Sequence, residues 1–292
     1  MSSNNSLFTL DKAVEKFLIH LKNKNRSSNT IIAYENDINQ LADFVKKYQI
    51  TKADNVKEQQ VKKFKKYLSE EKKYTNKTIS RKLNSVKSFF KFLTEAGIVA
   101  DNPASNISHP KIKQKPPRIL SPMEYRSLRD VCRDDARTHT IIQLMLQAGL
   151  RISEVSNLRL SDIQEDKIII RAYESHKGRV IPLNKAAQEA IKNYKKVRLN
   201  SRKSQNFFIT RNGNRLLIRN IRSSINRYYK IAGIKGAYIN TLRDTFAVQQ
   251  LEAGVPINIV SKIIGHKRVS STEKYLEMIE EKKSDQITLK EL

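Results

Sequence analysis

Cysteine is almost missing from this sequence: Cys132 is the only one in 292 residues. A single thiol can build neither an intramolecular disulfide nor a multi-thiolate metal site, which fits a reducing compartment. No uninterrupted apolar run approaches the ~20 residues that a bilayer-spanning helix needs. The opening stretch, MSSNNSLFTLDKAVEKF, lacks the basic segment and apolar run of a secretion signal. The expected location is the cytoplasm. Also lacking are a Walker phosphate loop, an HExxH helix, a Cys/His zinc spacing and a GxSxG turn. Nucleotide-driven, zinc-dependent and serine-hydrolase chemistries are therefore set aside, and neither a cofactor nor a metal is expected.

Acidic residues are scarce beside basic ones, at 29 Asp and Glu against 56 Lys and Arg, a formal charge of +27. Such a surface attracts polyanions, nucleic acid first among them. The excess is spread along the chain: 20 basic against 11 acidic residues in 1–101, four against none in 102–120, and 32 against 18 in 121–292. That distribution suits a protein that surrounds its polyanion, where a single basic tail would only touch it. A lysine-rich solvated surface is the plainer reading of the same numbers.

The length suits two domains, each able to bury its own core. From Leu10 to about Gly97 the apolar residues recur at helical spacing, as in Ala13, Val14, Phe17, Leu18 and Leu21, and again in Val61, Phe64, Tyr67 and Leu68. Side-chain oxygens at Ser28-Asn29-Thr30 and Thr75-Asn76-Lys77-Thr78 suit helix N-caps and point to about four helices over 1–101. Residues 102–120 carry four prolines, four basic residues and no acid, and read as an extended basic linker. Helical patterns resume at Met123–Cys132 and Thr138–Ala148. Lys167–Ala172 and Arg179–Leu183 then read as a β-hairpin, and Phe207–Thr210 as a third short strand before a turn. Beyond Leu216 the pattern is helical, closed by Gly233, Gly254 and Gly265.

The candidates left for chemistry are basic residues and tyrosines. Ala148-Gly149-Leu150-Arg151-Ile152-Ser153-Glu154 ends one helix on glycine and starts the next with an arginine and a carboxylate. A guanidinium offers two parallel donors to phosphate oxygens and keeps its charge at any working pH, although Arg and Glu at this spacing also form ordinary ion pairs. Lys177 follows Ser175-His176 at the tip of the hairpin, ahead of Gly178-Arg179-Val180-Ile181-Pro182-Leu183. Further on come Asn240-Thr241-Leu242-Arg243-Asp244-Thr245-Phe246-Ala247, then Ile263-Ile264-Gly265-His266, and Ser270 to Tyr275. Tyr275, one of 11 tyrosines, falls nine residues after His266.

These landmarks, in this order and spacing, resemble the tyrosine recombinase family (phage integrase, Xer-like), and the likeness runs over essentially the whole chain. It implies a mainly α protein of two domains: an N-terminal four-helix, SAM-like core-binding domain over 1–101, and a mostly helical catalytic domain over 121–279 with a small three-stranded sheet. It further implies site-specific cutting and rejoining of DNA through a 3′-phosphotyrosyl bond, for integration, excision, or resolution of dimers or transposon cointegrates. Tyr275 would be the nucleophile and Arg151, Arg243 and His266 a cationic cradle for the phosphate, while Lys177 would protonate the departing 5′ oxygen. The family's histidine three residues before the second arginine is Asn240 here, which can hydrogen-bond but cannot carry a proton at neutral pH. Asn240 could equally N-cap a helix starting at Thr241. The position after Arg243, frequently histidine in relatives, is Asp244. Glu154 and Asp244 are expected to orient the arginines, and His266 is the nearest substitute base.

The stretch Ser27–Ile38 resembles part of the core-binding domain. Ser28, Thr30, Lys77, Thr78 and Arg81 there, with Arg179, Arg219, Asn220 and Arg222 in the catalytic domain, are the candidate DNA contacts, each also readable as plain surface. The expected partners are double-stranded DNA and three further copies, as a homotetramer on two recombination sites, with accessory proteins possible and no membrane. In that assembly the tail 280–292 would dock on a neighbour through Ile287, Leu289 and Leu292. A recombinase-like DNA-binding protein without catalysis, and a type IB-like topoisomerase, stay open as alternatives at this stage.

Overall fold

The computed structural model describes residues 8–112, 116–173, 176–201 and 203–284. The chain falls into two compact units, Met1–Gln114 and Lys115–Leu292. In the first, helices α1 (Leu10–Asn23), α2 (Ser28–Lys46), α3 (Glu58–Glu70) and α4 (Asn76–Glu95) form a bundle. Hydroxyls start three of them: Thr9, Ser27 and Thr75 accept from the backbone N–H groups of Lys12, Thr30 and Thr78, so a cap satisfies a donor that the helix leaves unpaired. The apolar stripes meet in one core, where Phe17 packs edge to face on Phe89 at 5.4 Å and Leu41, Phe64, Leu68, Leu83 and Phe90 are fully buried.

The extended linker expected over 102–120 is shorter than its composition suggests. Ala104 and Ile107 are buried in the core of the first unit, and Leu120 is buried in the second. Lys87 donates to the Ser105 carbonyl and Asn76 to the Lys111 carbonyl. Prolines fix the backbone but do not stop the apolar side chains between them from packing.

The second unit comprises α5 (Pro122–Val131), α6 (Ala136–Gln147), α7 (Ile152–Asn157), β1 (Lys167–Ile170), β2 (Arg179–Pro182), α8 (Lys185–Val197), α9 (Ile218–Ile231), α10 (Ile239–Glu252), α11 (Ile257–Ile264) and α12 (Ser270–Ser284). The two strands pair antiparallel, Ile168 opposite Ile181 and Ile170 opposite Arg179. No third strand joins them among the described residues. Phe207 and Phe208 are both fully buried and pack with Tyr194, so this segment shows a core on both sides in place of a sheet's alternation. It makes only single bridges, Arg159 with Asn206 and Ile209 with Arg215. The expected docking through Ile287, Leu289 and Leu292 lies outside the described residues, as does Ser175.

Two helices matter most for position. α10 buries a continuous run from Thr241 to Val248, including Arg243 and Asp244, so it is a central helix with charged groups inside. It begins at Ile239 with Tyr238 in the cap position, which puts Asn240 in its exposed first turn and removes the N-cap reading of that residue. α11 ends at Gly265, whose φ of +67° is the left-handed conformation of a helix C-cap. A second glycine is required by space as well as backbone: at Gly149 (φ +62°) a Cβ would lie 2.5 Å from the Phe246 ring.

Candidate active site

The last carbonyls of α11 have no partner within the helix, and three arginines supply donors to them. Arg179 donates from Nε to Ile263 O, Arg243 from Nη2 to Ile264 O, and Arg151 from Nη2 to Gly265 O at 2.5 Å. Cations at a helix C-terminus also complement its dipole. Arg243 reaches back to the Gly149 carbonyl with its other terminal nitrogen. The turn before Arg151 and the turn before His266 are thereby tied to one side chain.

Glu154 holds the front of this knot. It accepts from the Arg151 backbone N–H (2.8 Å) and from Arg151 Nη1 (2.8 Å). It also accepts a bidentate pair from Arg179, at 2.7 and 2.9 Å. Burial alone would raise its carboxyl, yet the bonds and charge of Arg179, joined by those of Arg151, bring it down to about 2. Arg243 is lowered to about 9, first by burial and then by the charge of Arg151, and stays a cation at neutral pH. Of the three guanidiniums Arg151 is the most open, its side chain 22% exposed against 6% for Arg179.

The tyrosine lies behind this cluster. Tyr275 is 1% exposed, in a small core made by α10, α11 and α12 with Phe246, Val260, Ile264 and Met278. Its hydroxyl donates to Asp244 Oδ1 at 2.7 Å, and Tyr238 donates to Asp244 Oδ2 at 3.0 Å. Burial, followed by the charge and hydrogen bond of Asp244, pushes the Tyr275 phenol well above its ordinary range. Lys274 lies over the Tyr275 ring at 4.6 Å. The His266 ring lies nearly parallel to that of Tyr275, centroids 6.4 Å apart, and its Nδ1 is hydrogen-bonded to Thr272 Oγ1 at 2.8 Å.

A buried phenol lies on the helix after a Gly-His turn that three arginines hold, and comparisons with known proteins give the family. Residues 118–282 match the phage integrase family and residues 14–97 match the phage integrase N-terminal SAM-like domain. The chain belongs to the phage integrase family. It is a tyrosine recombinase, an enzyme that breaks and rejoins DNA at specific sites. A tyrosine recombinase of Thermosipho africanus is 32% identical, covering 95% of this chain and 99% of its own. The fold is shared with the Tn1549 transposon integrase in complex with circular intermediate DNA, at a TM-score of 0.75 and 21% identity over 92% of this chain and 95% of that one. It is shared also with a lambda integrase tetramer bound to a Holliday junction, at a TM-score of 0.75 and 15% identity over 92% of this chain and 80% of that one.

Set against the recombinase landmarks, the structure brings Arg151, Arg243, His266 and Tyr275 together and corrects several expected roles. His266 is expected as a cation, but burial, then the charges of Arg243, Lys274 and Arg151, lower it to about 4, so without DNA it is a neutral ring at neutral pH. Asp244 does not orient an arginine, because its two oxygens take the two phenols. Arg179 is no free DNA contact, since Nε, Nη1 and Nη2 each donate within the protein. Strand alternation signals this in the sequence: Arg179 shares a strand face with buried Ile181, while Val180 between them is exposed. No comparable signal marks Tyr238 or Thr272.

The remaining candidates are surface groups. Lys177 is exposed just past the single bridge between Tyr173 and His176. Its neighbour His176 is lowered by burial and next by the charge of Arg151, so His176 lies within the field of the arginines. Arg219, Asn220 and Arg222 are exposed on α9, opposite buried Ile221, Ile225 and Tyr229. In the N-terminal unit Ser28 and Lys77 are exposed, while the Thr30 and Thr78 hydroxyls are engaged with the capping oxygens of Ser27 and Thr75. Arg81 grips Asp37. No helix among the described residues is long and apolar enough to cross a membrane.

Proposed function

We propose that Tyr275 is the nucleophile of this recombinase and forms a 3′-phosphotyrosyl bond that stores the energy of the cut phosphodiester. The observation that carries this is one phenol, hydrogen-bonded to a carboxylate, on the helix that follows a turn held by three arginines. A pentavalent phosphate gathers charge on its non-bridging oxygens, and preorganised guanidiniums stabilise that charge at little reorganisation cost. Arg151, the most exposed of the three, faces the incoming phosphate; Arg243 backs it and Arg179 positions it through Glu154. His266, neutral, contributes a ring N–H. Lys177 on the hairpin delivers a proton to the leaving 5′ oxygen. At 1% exposure Tyr275 is covered in the DNA-free chain, so DNA binding uncovers it while its hydrogen bond to Asp244 is kept. DNA is held by Lys77 in one unit and by Arg219, Asn220 and Arg222 in the other. Four copies act on two sites in the cytoplasm, as the fold shared with a tetrameric integrase suggests.

A nicked suicide duplex, selected from a randomised library by covalent capture on this chain, tests the reading. The adduct is expected to form with the protein and to vanish in Tyr275→Phe. Capture that persists in Tyr275→Phe would identify a different nucleophile. Loss of the adduct with DNA binding unchanged supports catalysis over a purely DNA-binding role, and joining between two sites separates recombination from the relaxation a topoisomerase gives.

A further inference from the structure

A tyrosine that attacks phosphorus must lose its proton, and the residues around it differ sharply in their ability to take it. Asn240 has no basic atom and lies in the exposed first turn of α10. His266 stacks beside the tyrosine ring with its Nδ1 engaged by Thr272, and no hydrogen bond joins it to the phenol among the described residues. We infer that Asp244 is the general base of this recombinase, receiving the Tyr275 proton during cleavage and returning it during joining. The inference rests on the reading of Tyr275 as nucleophile.

Three observations carry it. The Tyr275 hydroxyl already donates to Asp244 Oδ1 at 2.7 Å, inside the ~2.6–3.2 Å reach that general-base catalysis requires. Asp244 adjoins Arg243 on the central helix α10, so the proton acceptor and one of the phosphate-site arginines share one rigid frame. Tyr238 donates to the other oxygen, Oδ2, at 3.0 Å, which leaves Oδ1 for the nucleophile. Tyr238 is itself 46% exposed and connects the buried carboxylate to solvent. The titratable groups that face Asp244 are Tyr275 on α12, Tyr238 ahead of α10 and Tyr229 on α9, with Arg243 as its chain neighbour. In cleavage the proton passes from Tyr275 to Asp244, the bond from the tyrosine oxygen to phosphorus forms, and the bond from phosphorus to the 5′ oxygen breaks. That oxygen leaves with a proton from Lys177. Joining runs each transfer backwards, and no other reactant is needed.

The test is single-turnover cleavage of the captured nicked duplex as a function of pH, using the full chain. Asp244→Asn is expected to slow cleavage by on the order of 100-fold or more, the usual worth of a general base, with DNA affinity kept. Its rate should climb about tenfold per pH unit, because only spontaneously ionised tyrosine then reacts. Asp244→Glu should recover part of the rate. Tyr238→Phe removes a hydrogen bond to the charged form of the carboxylate, so the acid limb of the profile should move to higher pH. An Asp244→Asn protein with wild-type rate and profile overturns the inference. A faster one overturns it too, making the carboxylate a latch on the nucleophile. If Asp244→Asn does not fold, an acid limb unmoved in Tyr238→Phe is sufficient to reject it. Failure of the wild-type chain to form any adduct would count against the nucleophile, not against the base.

Discussion

Each unit of this recombinase buries a carboxylate among cations, and the two do different work. In the N-terminal unit Asp37 on α2 accepts from Arg81, from Lys82 at 2.8 Å and from Ser85 at 2.7 Å, all on α4. That arrangement closes on itself as a clasp between two helices. In the catalytic unit Glu154 likewise takes two cations, but its arginines also reach carbonyls at the end of α11, and a third guanidinium, Arg243, joins them with no carboxylate partner of its own among the described residues. Three guanidiniums around one carboxylate leave positive charge unmatched. A clasp is complete without a ligand, whereas this cluster keeps positive charge to offer an anion.

Removing each carboxylate is the strongest way to break the comparison. Asp37→Asn and Glu154→Gln should each cost about 3–5 kcal/mol, the usual penalty for stranding a buried partner, with Asp37→Asn at the low end because Arg81 is half exposed. Denaturant unfolding of the full chain measures both. Only Glu154→Gln should also slow cleavage at saturating DNA, by on the order of 100-fold, since misplaced arginines no longer meet the developing charge. Equal cleavage rates in the two folded variants would mean that both carboxylates are clasps.

The same contrast shows what a sequence makes legible. Arg151, Arg243, His266 and Tyr275 are readable because fixed spacings around Gly149 and Gly265 set which helix starts and ends where, and the helices do the rest. The four N-terminal helices are readable from their periodic apolar residues and the Thr75 cap, while the cap of α2 falls on Ser27, one residue before the Ser28-Asn29-Thr30 stretch expected to supply it. What escapes is the aim of side chains decided by tertiary contacts. Asp244 looks like an arginine's partner one residue away, yet it faces two phenols, one of them 31 residues on. Phe207–Thr210 has strand composition, but its adjacent phenylalanines both enter the core. Proline content hides the packing of Ala104 and Ile107. Burial also sets the charge of His266, and no residue type announces that.

If the arginine cluster awaits an anion, binding one should stabilise it. Pyrophosphate at about 100 times its dissociation constant should add roughly 2.7 kcal/mol to unfolding of the catalytic unit. Arg151→Ala, which removes the most open guanidinium, should abolish the gain, while Arg81→Ala in the closed clasp should leave it intact. Calorimetry with and without the anion distinguishes the two. A gain that survives Arg151→Ala would place the bound anion elsewhere on this basic surface.

A separate effect is expected on acid stability. Folding lowers the pKa of His266 from 6.5 to about 4 and that of Glu154 from 4.5 to about 2. The unfolded chain therefore binds the proton first in each case, and stability falls as pH drops. The windows are separate: His266 acts as pH falls from 6.5 towards 4, Glu154 from 4.5 towards 2. His266→Gln should flatten the fall in melting temperature of the catalytic unit in the upper window and leave the lower one in place. Glu154→Gln should do the reverse, from a lower starting stability. A His266→Gln protein that melts with the same slope across the upper window would show that the imidazole takes up its proton as readily in the folded chain as outside it. A charged ring beside Arg243 would then return His266 to the cationic role that burial here denies it.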